Sequence, residues 1–121
     1  MDQTDNAIQY FKKALRLDSS FTATYLNYSF LLNKEGRYNE AIALLEKGYR
    51  FTSTQADRAY FNYNLALAHR YLENCPTALN KINEAIRLID DQNIKERFLK
   101  TKKRIDFWCG DEPIRVLELD D

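Results

Sequence analysis

Apolar side chains recur along this chain at the spacing of amphipathic helices. One motif occurs three times: an alanine and a branched apolar residue, then a large apolar residue three positions later and a small residue three positions after that. Its copies begin at Ala7, Ala41 and Ala78, at steps of 34 and 37 residues. Repeats of this period are typical of solenoids, in which each unit buries its apolar face against the next. The pattern therefore predicts that the protein acts through a surface that contacts another chain.

Six helices are predicted from the apolar spacing and from residues that begin or end helices. Gly36 is expected to close the second helix in the left-handed conformation, and Pro76 to lie in the first turn of the fifth. Short loops join the helices, so successive helices are expected to pair as antiparallel hairpins. The predicted helices cover residues 5–17, 21–34, 38–51, 55–72, 76–89 and 92–107. The predicted fold class is therefore all-α, an antiparallel helix-hairpin solenoid in one domain over residues 1–110.

The composition agrees with a helical globular protein and argues against two classes of partner. Apolar residues make up 45% of the chain, and three glycines and two prolines are too few for the many turns of an all-β fold. The 18 basic and 18 acidic residues balance, so the overall charge gives no reason to expect binding to nucleic acid. No apolar run reaches the roughly 20 residues of a membrane span, so membrane insertion is not expected.

The number and placement of the two cysteines predict the cellular compartment of the protein. Cys75 and Cys109 fall in different predicted elements and are too few for a disulfide scaffold. A reducing compartment is therefore expected, which favours a cytoplasmic location. Because the chain begins inside a repeat unit, we also expect it to be a segment of a longer array.

No arrangement of residues for catalysis is found. His69 is the single histidine and falls in a packing position of the fourth helix, which removes most nucleophile–base pairs and most zinc sites. The sequence has no C-x-x-C pair and no glycine-rich phosphate loop. We therefore expect that the protein is not an enzyme and that it uses no cofactor or metal ion.

The units resemble tetratricopeptide repeats over roughly residues 5–90. That family places large residues and a small one along a first helix, then a tight turn, then Ala-x-x-x-Phe in a second helix. The middle unit fills these positions with Tyr25, Tyr28, Ser29, Leu32, Gly36, Tyr38, Ala41 and Leu45. The next unit fills them with Asn62, Leu65, Ala66, His69, Ala78 and Ile82. Small residues, namely Ala41, Gly48, Ala78 and Ala85, are expected to let neighbouring helices approach closely.

The resemblance implies a concave groove lined by the first helix of each unit, here the second and fourth predicted helices. Tyrosine and arginine supply much of the binding energy of protein interfaces, and both occur on these helices. The implied partner-binding residues are Leu26, Asn27, Phe30, Asn33, Lys34, Tyr60, Tyr63, Asn64, Leu67, Arg70 and Tyr71. The expected partner is another protein or peptide with apolar or aromatic side chains and a polar contact to the amide of Asn27 or Asn64. The alternative is that the aromatic rings fill the core between units.

The sixth helix and the segment after it differ in charge. An apolar stripe of Ile94, Phe98, Ile105 and Trp108 is expected to pack on the preceding helices, with a strongly basic opposite side. This is the form of a capping helix at the end of a solenoid, and the alternative is a basic docking surface. Residues 111–121 hold five acidic residues and one basic residue. They are expected either to stay solvated or to fold back onto a basic or aromatic surface.

The sequence therefore favours a protein–protein interaction module that binds a peptide or a helix in an aromatic-rich groove. The alternative is a regulatory or oligomerisation segment of a larger protein, such as an enzyme, a transcription regulator or a secretion chaperone. Self-association into a homo-oligomer is compatible with both hypotheses.

Overall fold

The computed structural model describes residues 3–110, and all regular structure in this range is helical. The helices are α1 (Gln3–Leu17), α2 (Thr22–Lys34), α3 (Tyr38–Tyr49), α4 (Gln55–Tyr71), α5 (Cys75–Leu88) and α6 (Gln92–Cys109). The all-α class and the six predicted helices are confirmed for the described part of the chain. Residues 111–121, for which docking was one expectation, lie outside it.

The helices form two layers. Each helix packs on the next one along the chain, and α2 also contacts α4, which in turn contacts α6. Helices α2, α4 and α6 therefore form one layer, and α1, α3 and α5 form the other. This is the arrangement of a helix-hairpin solenoid, with α4 at its centre.

The turns after α2 and α4 have the same geometry. Gly36 has φ 77° and Glu73, 37 residues later, has φ 63°. In both turns the next backbone N–H donates back to a carbonyl five residues earlier: Arg37 to Leu32, and Asn74 to His69, each at 2.8 Å. Glycine adopts this left-handed conformation without steric cost, whereas a glutamate does not. The fold thus accepts backbone strain at Glu73 to repeat the turn.

The N-termini of α4 and α6 are also 37 residues apart. The Thr54 hydroxyl accepts a hydrogen bond from the Asp57 N–H at 3.0 Å, the bond by which an N-cap threonine begins a helix. The Asp91 carboxylate accepts the equivalent bond from the Ile94 N–H at 3.1 Å. Helix α6 is therefore in register with α4, as the first helix of a further unit.

Small side chains bring the layers together, as expected. Ala41, Ala78 and Ala85 are fully buried. Gly48 lies against the ring of Tyr25, and a Cβ at this glycine would stand 2.5 Å from the ring carbons. Glycine is therefore required here by the neighbouring ring, which is itself fully buried.

The expectation about the cysteines is wrong. Cys75 and Cys109 form a disulfide with their Cα atoms 5.5 Å apart. They lie in different helices, but the N-terminus of α5 and the C-terminus of α6 meet at the same end of the array. The pairing removes one argument for a reducing compartment, and the cytoplasmic location stays a prediction. None of the helices between residues 3 and 110 is long and apolar enough to cross a membrane.

Candidate functional site

The 37-residue register extends the predicted groove from two helices to three. Phe30 on α2, Leu67 on α4 and Arg104 on α6 occupy equivalent positions, as do Lys34, Tyr71 and Trp108. We refer to one face of this layer as the groove surface. It consists of Asn27, Phe30, Lys34, Tyr60, Leu67, Arg70, Tyr71, Arg97, Arg104 and Trp108.

Large aromatic side chains are exposed on the groove surface. Phe30, Tyr71 and Trp108 are 60%, 52% and 66% exposed. Single exposed apolar residues are common on protein surfaces, but a contiguous set marks an interaction site. These three rings come from three neighbouring helices of one layer.

The predicted place of Trp108 in the buried stripe of α6 is wrong. The buried residues of α6 are Phe98, Thr101 and Ile105. A helix turns by about 100° per residue, so position 108 lies on the side of Thr101 rather than under Phe98. Trp108 consequently faces α4, where the guanidinium of Arg70 lies 5.8 Å from its ring centre.

Two arginines share the side of α6 that carries Trp108. Thr101 faces α4, because its hydroxyl lies 3.2 Å from the Tyr63 hydroxyl. Positions 97, 101, 104 and 108 follow the spacing of a single helix stripe. Arg97 and Arg104 are exposed on this stripe. The sequence predicts that the basic side of α6 lies opposite its packed face. In the structure the basic side also continues onto the groove surface.

Two predicted groove residues are instead structural amides. Asn33 and Asn64 are buried. The Asn33 side-chain amide donates to the Asn64 backbone carbonyl at 3.2 Å, and the Asn64 amide donates to the Ser29 hydroxyl at 3.1 Å. These bonds join α2 to α4 and engage the Asn64 amide between the two helices, while its contact with a ligand stays a prediction. Asn27, at the equivalent position on α2, is exposed.

Tyr63 and Tyr60 are partly structural. The Tyr63 ring stacks on Phe98 with ring centres 4.5 Å apart, and Tyr60 meets the same ring edge-on at 6.1 Å. Leu26 likewise packs against the core cluster that contains Tyr25. Tyr63, Tyr60 and Leu26 are all half-buried. The packing of Tyr63 and Tyr60 on Phe98 supports the alternative that rings fill the core between units.

A cleft of about 940 Å³ opens where α4 and α6 end and α5 begins. Arg70 lies over the Tyr71 ring, with the guanidinium carbon 4.8 Å from the ring centre. Tyr71 in turn stacks on Tyr38 at 5.0 Å, which fixes the ring despite its exposure. The cleft is lined by Arg70, Tyr71, Glu73, Cys75, Pro76, Leu79, Trp108 and Cys109.

The charge of this region is mainly positive. Lys34, Arg97 and Arg104 are exposed on the groove surface, and Arg70 is half-buried at the cleft. Glu73 is the acidic residue in the cleft lining. Arginine and aromatic side chains together suit a ligand with carboxylates and apolar groups.

His69, the single histidine of the chain, lies near the turn after α4. Burial lowers the pKa of His69, whose ring nitrogen Nδ1 lies 3.2 Å from the Asn74 amide near the turn after α4. The histidine thus sits in a packed position. Among residues 3–110 there is no cluster of three histidine, cysteine, aspartate or glutamate side chains that could hold a metal ion.

Fold and surface together define a helical-repeat protein with an aromatic and basic face. The family model described as Tetratricopeptide repeat matches residues 1–50, which span α1 to α3. Helices α4 and α5 repeat α2 and α3 in register, so the fold of the described residues is like that of tetratricopeptide repeats. No curated protein and no solved structure matches it significantly. Repeats of this family are protein–protein interaction modules, so the family indicates protein partners.

Sequence reasoning missed the contribution of α6. The sequence predicts α6, with Arg97, Arg104 and Trp108, as a capping helix, because it lacks the large-and-small pattern of the family. The signal that finds them is the 37-residue shift: it carries Tyr60, Leu67 and Tyr71 onto these three residues.

Proposed function

We propose that the protein binds an extended peptide segment of another protein along the groove surface. Apolar side chains of the peptide pack on Phe30, Tyr71 and Trp108. Acidic side chains pair with Arg97 and Arg104. The observation that carries the proposal is the exposure of three large rings on one face of α2, α4 and α6.

One of the three rings, Tyr71, is already held in place, which supports binding at a low entropic cost. Tyr71 is held by its stack on Tyr38 and by Arg70, whose Nη1 donates to the Tyr71 hydroxyl at 3.3 Å. A ring that is already fixed loses little freedom when a ligand covers it. Arginine, tyrosine and tryptophan are also the residues that most often contribute 2 kcal/mol or more at interfaces, on the order seen in alanine scans.

The dimensions favour a peptide over a small metabolite. Packed helices lie about 8–10 Å apart, so a ligand that crosses from α6 to α2 spans about 20 Å. An extended peptide covers this length with about six residues at roughly 3.3 Å each. The groove surface is thus long enough for a linear segment with several anchors.

The test is to select binders from a phage library of random 12-residue peptides on the immobilised protein. We expect enrichment of sequences that combine aspartate or glutamate with apolar residues. In fluorescence anisotropy, a selected peptide should bind the Phe30→Ala/Trp108→Ala variant at least tenfold more weakly. The matched control is Tyr10→Ala/Phe21→Ala, which removes two rings that are also more than half exposed but lie off the groove surface.

Two results would contradict the proposal. One is a library that yields no sequence bound by the wild type. The other is a selected peptide that binds both double variants equally well. Circular dichroism must show native helicity in each variant, and the exposure of all four side chains makes this the expected result.

A second function, self-association, has one observation in its favour. Leu99 and Phe107 are each 41% exposed on α6, outside the surface that packs on α4 and α5. Sedimentation velocity over a hundredfold concentration range tests it. A dimer that Leu99→Lys dissociates would support an oligomerisation segment, and a monomer throughout would argue against one.

A further inference from the structure

We propose that residues 111–121 of this chain bind the groove surface of the same molecule and must leave it before a partner peptide binds. This rests on the proposed function, because it names an occupant for that surface. The segment is DEPIRVLELDD, which has the acidic and apolar composition that the groove surface suits.

The segment continues from Gly110, which directly follows a residue of the cleft lining. The disulfide ties Cys109 to Cys75 in the cleft lining, and Gly110 follows with extended backbone angles of φ −73° and ψ 127°. Eleven residues reach at most about 36 Å, more than the roughly 20 Å from α6 to α2. A short tether of this kind gives an effective concentration on the order of millimolar, so even weak contacts suffice for binding.

Charge complementarity favours the groove surface. Residues 111–121 contain five acidic residues and one arginine. Arg70, Arg97 and Arg104 come from facing helices, and Arg70 already lies between the rings of Tyr71 and Trp108. Carboxylates that approach this surface meet cations without crossing an opposing acidic patch on α6, since Glu96 and Asp106 lie off the 97–101–104–108 stripe.

The apolar residues of the segment match the exposed rings. Ile114, Val116, Leu117 and Leu119 lie within six positions, between acidic residues on both sides. In an extended segment, alternate side chains point to the same side. Leu117 and Leu119 therefore form one apolar edge that can cover Trp108 and Tyr71. Burial of these side chains supplies most of the binding energy, and charge guides the approach.

The chain carries its own probe for this contact, because Trp108 is its single tryptophan. Acrylamide quenching of its fluorescence measures how open the ring is to solvent. In the full chain, the quenching constant should be low. It should rise at least twofold in Leu117→Ser/Leu119→Ser and in Arg104→Glu.

A charge exchange tests the geometry rather than the fold. In an extended segment, Asp121 lies on the same side as Leu117 and Leu119. Asp121→Arg added to Arg104→Glu should therefore return the quenching constant towards the wild-type value. The matched control is Lys103→Glu, an equally large charge change on α6, about 100° around the helix from Arg104. It should leave quenching unchanged. Equal quenching in the wild type and in all variants would overturn the proposal, and so would an effect of Lys103→Glu equal to that of Arg104→Glu.

Failure of this inference is distinguishable from failure of the proposed function. The selected library peptide, labelled with fluorescein, should bind Leu117→Ser/Leu119→Ser at least fivefold more tightly than the wild type. If the peptide binds Leu117→Ser/Leu119→Ser and the wild type equally well, and binding still depends on Trp108, self-docking is overturned. The proposed function of the groove surface would be unaffected by that result. If the protection of Trp108 from quenching grows with protein concentration, the groove surface is covered by residues 111–121 of a second copy. That result would overturn docking within one molecule.

Discussion

The joint between α2 and α4 and the joint between α4 and α6 have the same backbone register but different chemistry. Amides form the first, where Asn33 and Asn64 reach across between the helices. Aromatic rings form the second joint, where Tyr63 stacks on Phe98 and its hydroxyl shares a hydrogen bond with the Thr101 hydroxyl. The repeat therefore sets where the helices pack on one another. The side chains between each pair of helices then determine which residues stay exposed on the groove surface.

The difference explains why the candidate site lies towards α6. At the first joint the amides are turned inward and leave Phe30 as the exposed ring of α2. At the second joint the disulfide holds the last turn of α6, whose Trp108 is then free to face Arg70. The first two predictions below change the joint between α4 and α6, and the last two compare equivalent positions of successive units.

Loss of the disulfide should have the largest effect. A loop of 34 residues is closed by this bond, and the chain-entropy account assigns about 4 kcal/mol to it. Cys75→Ser/Cys109→Ser should lower the free energy of unfolding by about that amount, measured by urea denaturation. Because Ile105 is the last buried residue of α6, amide exchange should also quicken from residue 106 onward. Unchanged stability under reducing and oxidising conditions would show that the bond does not hold this joint.

Removal of the Tyr63 ring should come next. Tyr63→Ala deletes the stack on Phe98 and should cost about 3 kcal/mol of unfolding free energy. Tyr63→Phe keeps the stack, loses the bond to Thr101 and should cost about 1 kcal/mol. A Tyr63→Ala variant as stable as wild type would place this ring on the binding surface, as the sequence alone suggested.

Gly48 and Ala85 occupy equivalent positions and should respond differently. Gly48→Ala would place a Cβ into the Tyr25 ring, so we expect a loss of about 2 kcal/mol despite the better helix propensity of alanine. Ala85→Gly should cost about 1 kcal/mol through helix propensity and a small cavity. Thermal unfolding compares the two. A more stable Gly48→Ala variant would contradict the contact with Tyr25.

The smallest expected change is a gain. Glu73→Gly relieves a left-handed residue that Gly36 shows to be tolerated by glycine, and should add about 1 kcal/mol to the unfolding free energy. Gly36→Glu is the matched reverse change and should remove a similar amount. Loss of stability in Glu73→Gly would mean that this side chain contributes more than its backbone conformation costs.

The sequence was sufficient for the helices because their signals are local. Periodicity, the turn at Gly36 and the place of Pro76 in the first turn of α5 act within a few residues, and every observed helix end lies within two residues of the prediction. The orientation of Asn64 and the pairing of Cys75 with Cys109 depend on neighbours from distant parts of the chain. Periodicity alone cannot tell an amide that lines a groove from one that joins two helices.

The most direct test of the account is an NMR titration of the ¹⁵N-labelled protein with a peptide selected from the library. The single indole N–H signal of Trp108 should shift, together with backbone amides around Phe30, Leu67 and Arg104. Amides in the middle of α3 and α5, in the other layer, should stay in place. Shifts confined to α3 and α5, or an indole signal that does not move at saturation, would contradict the claim that α2, α4 and α6 form one binding surface.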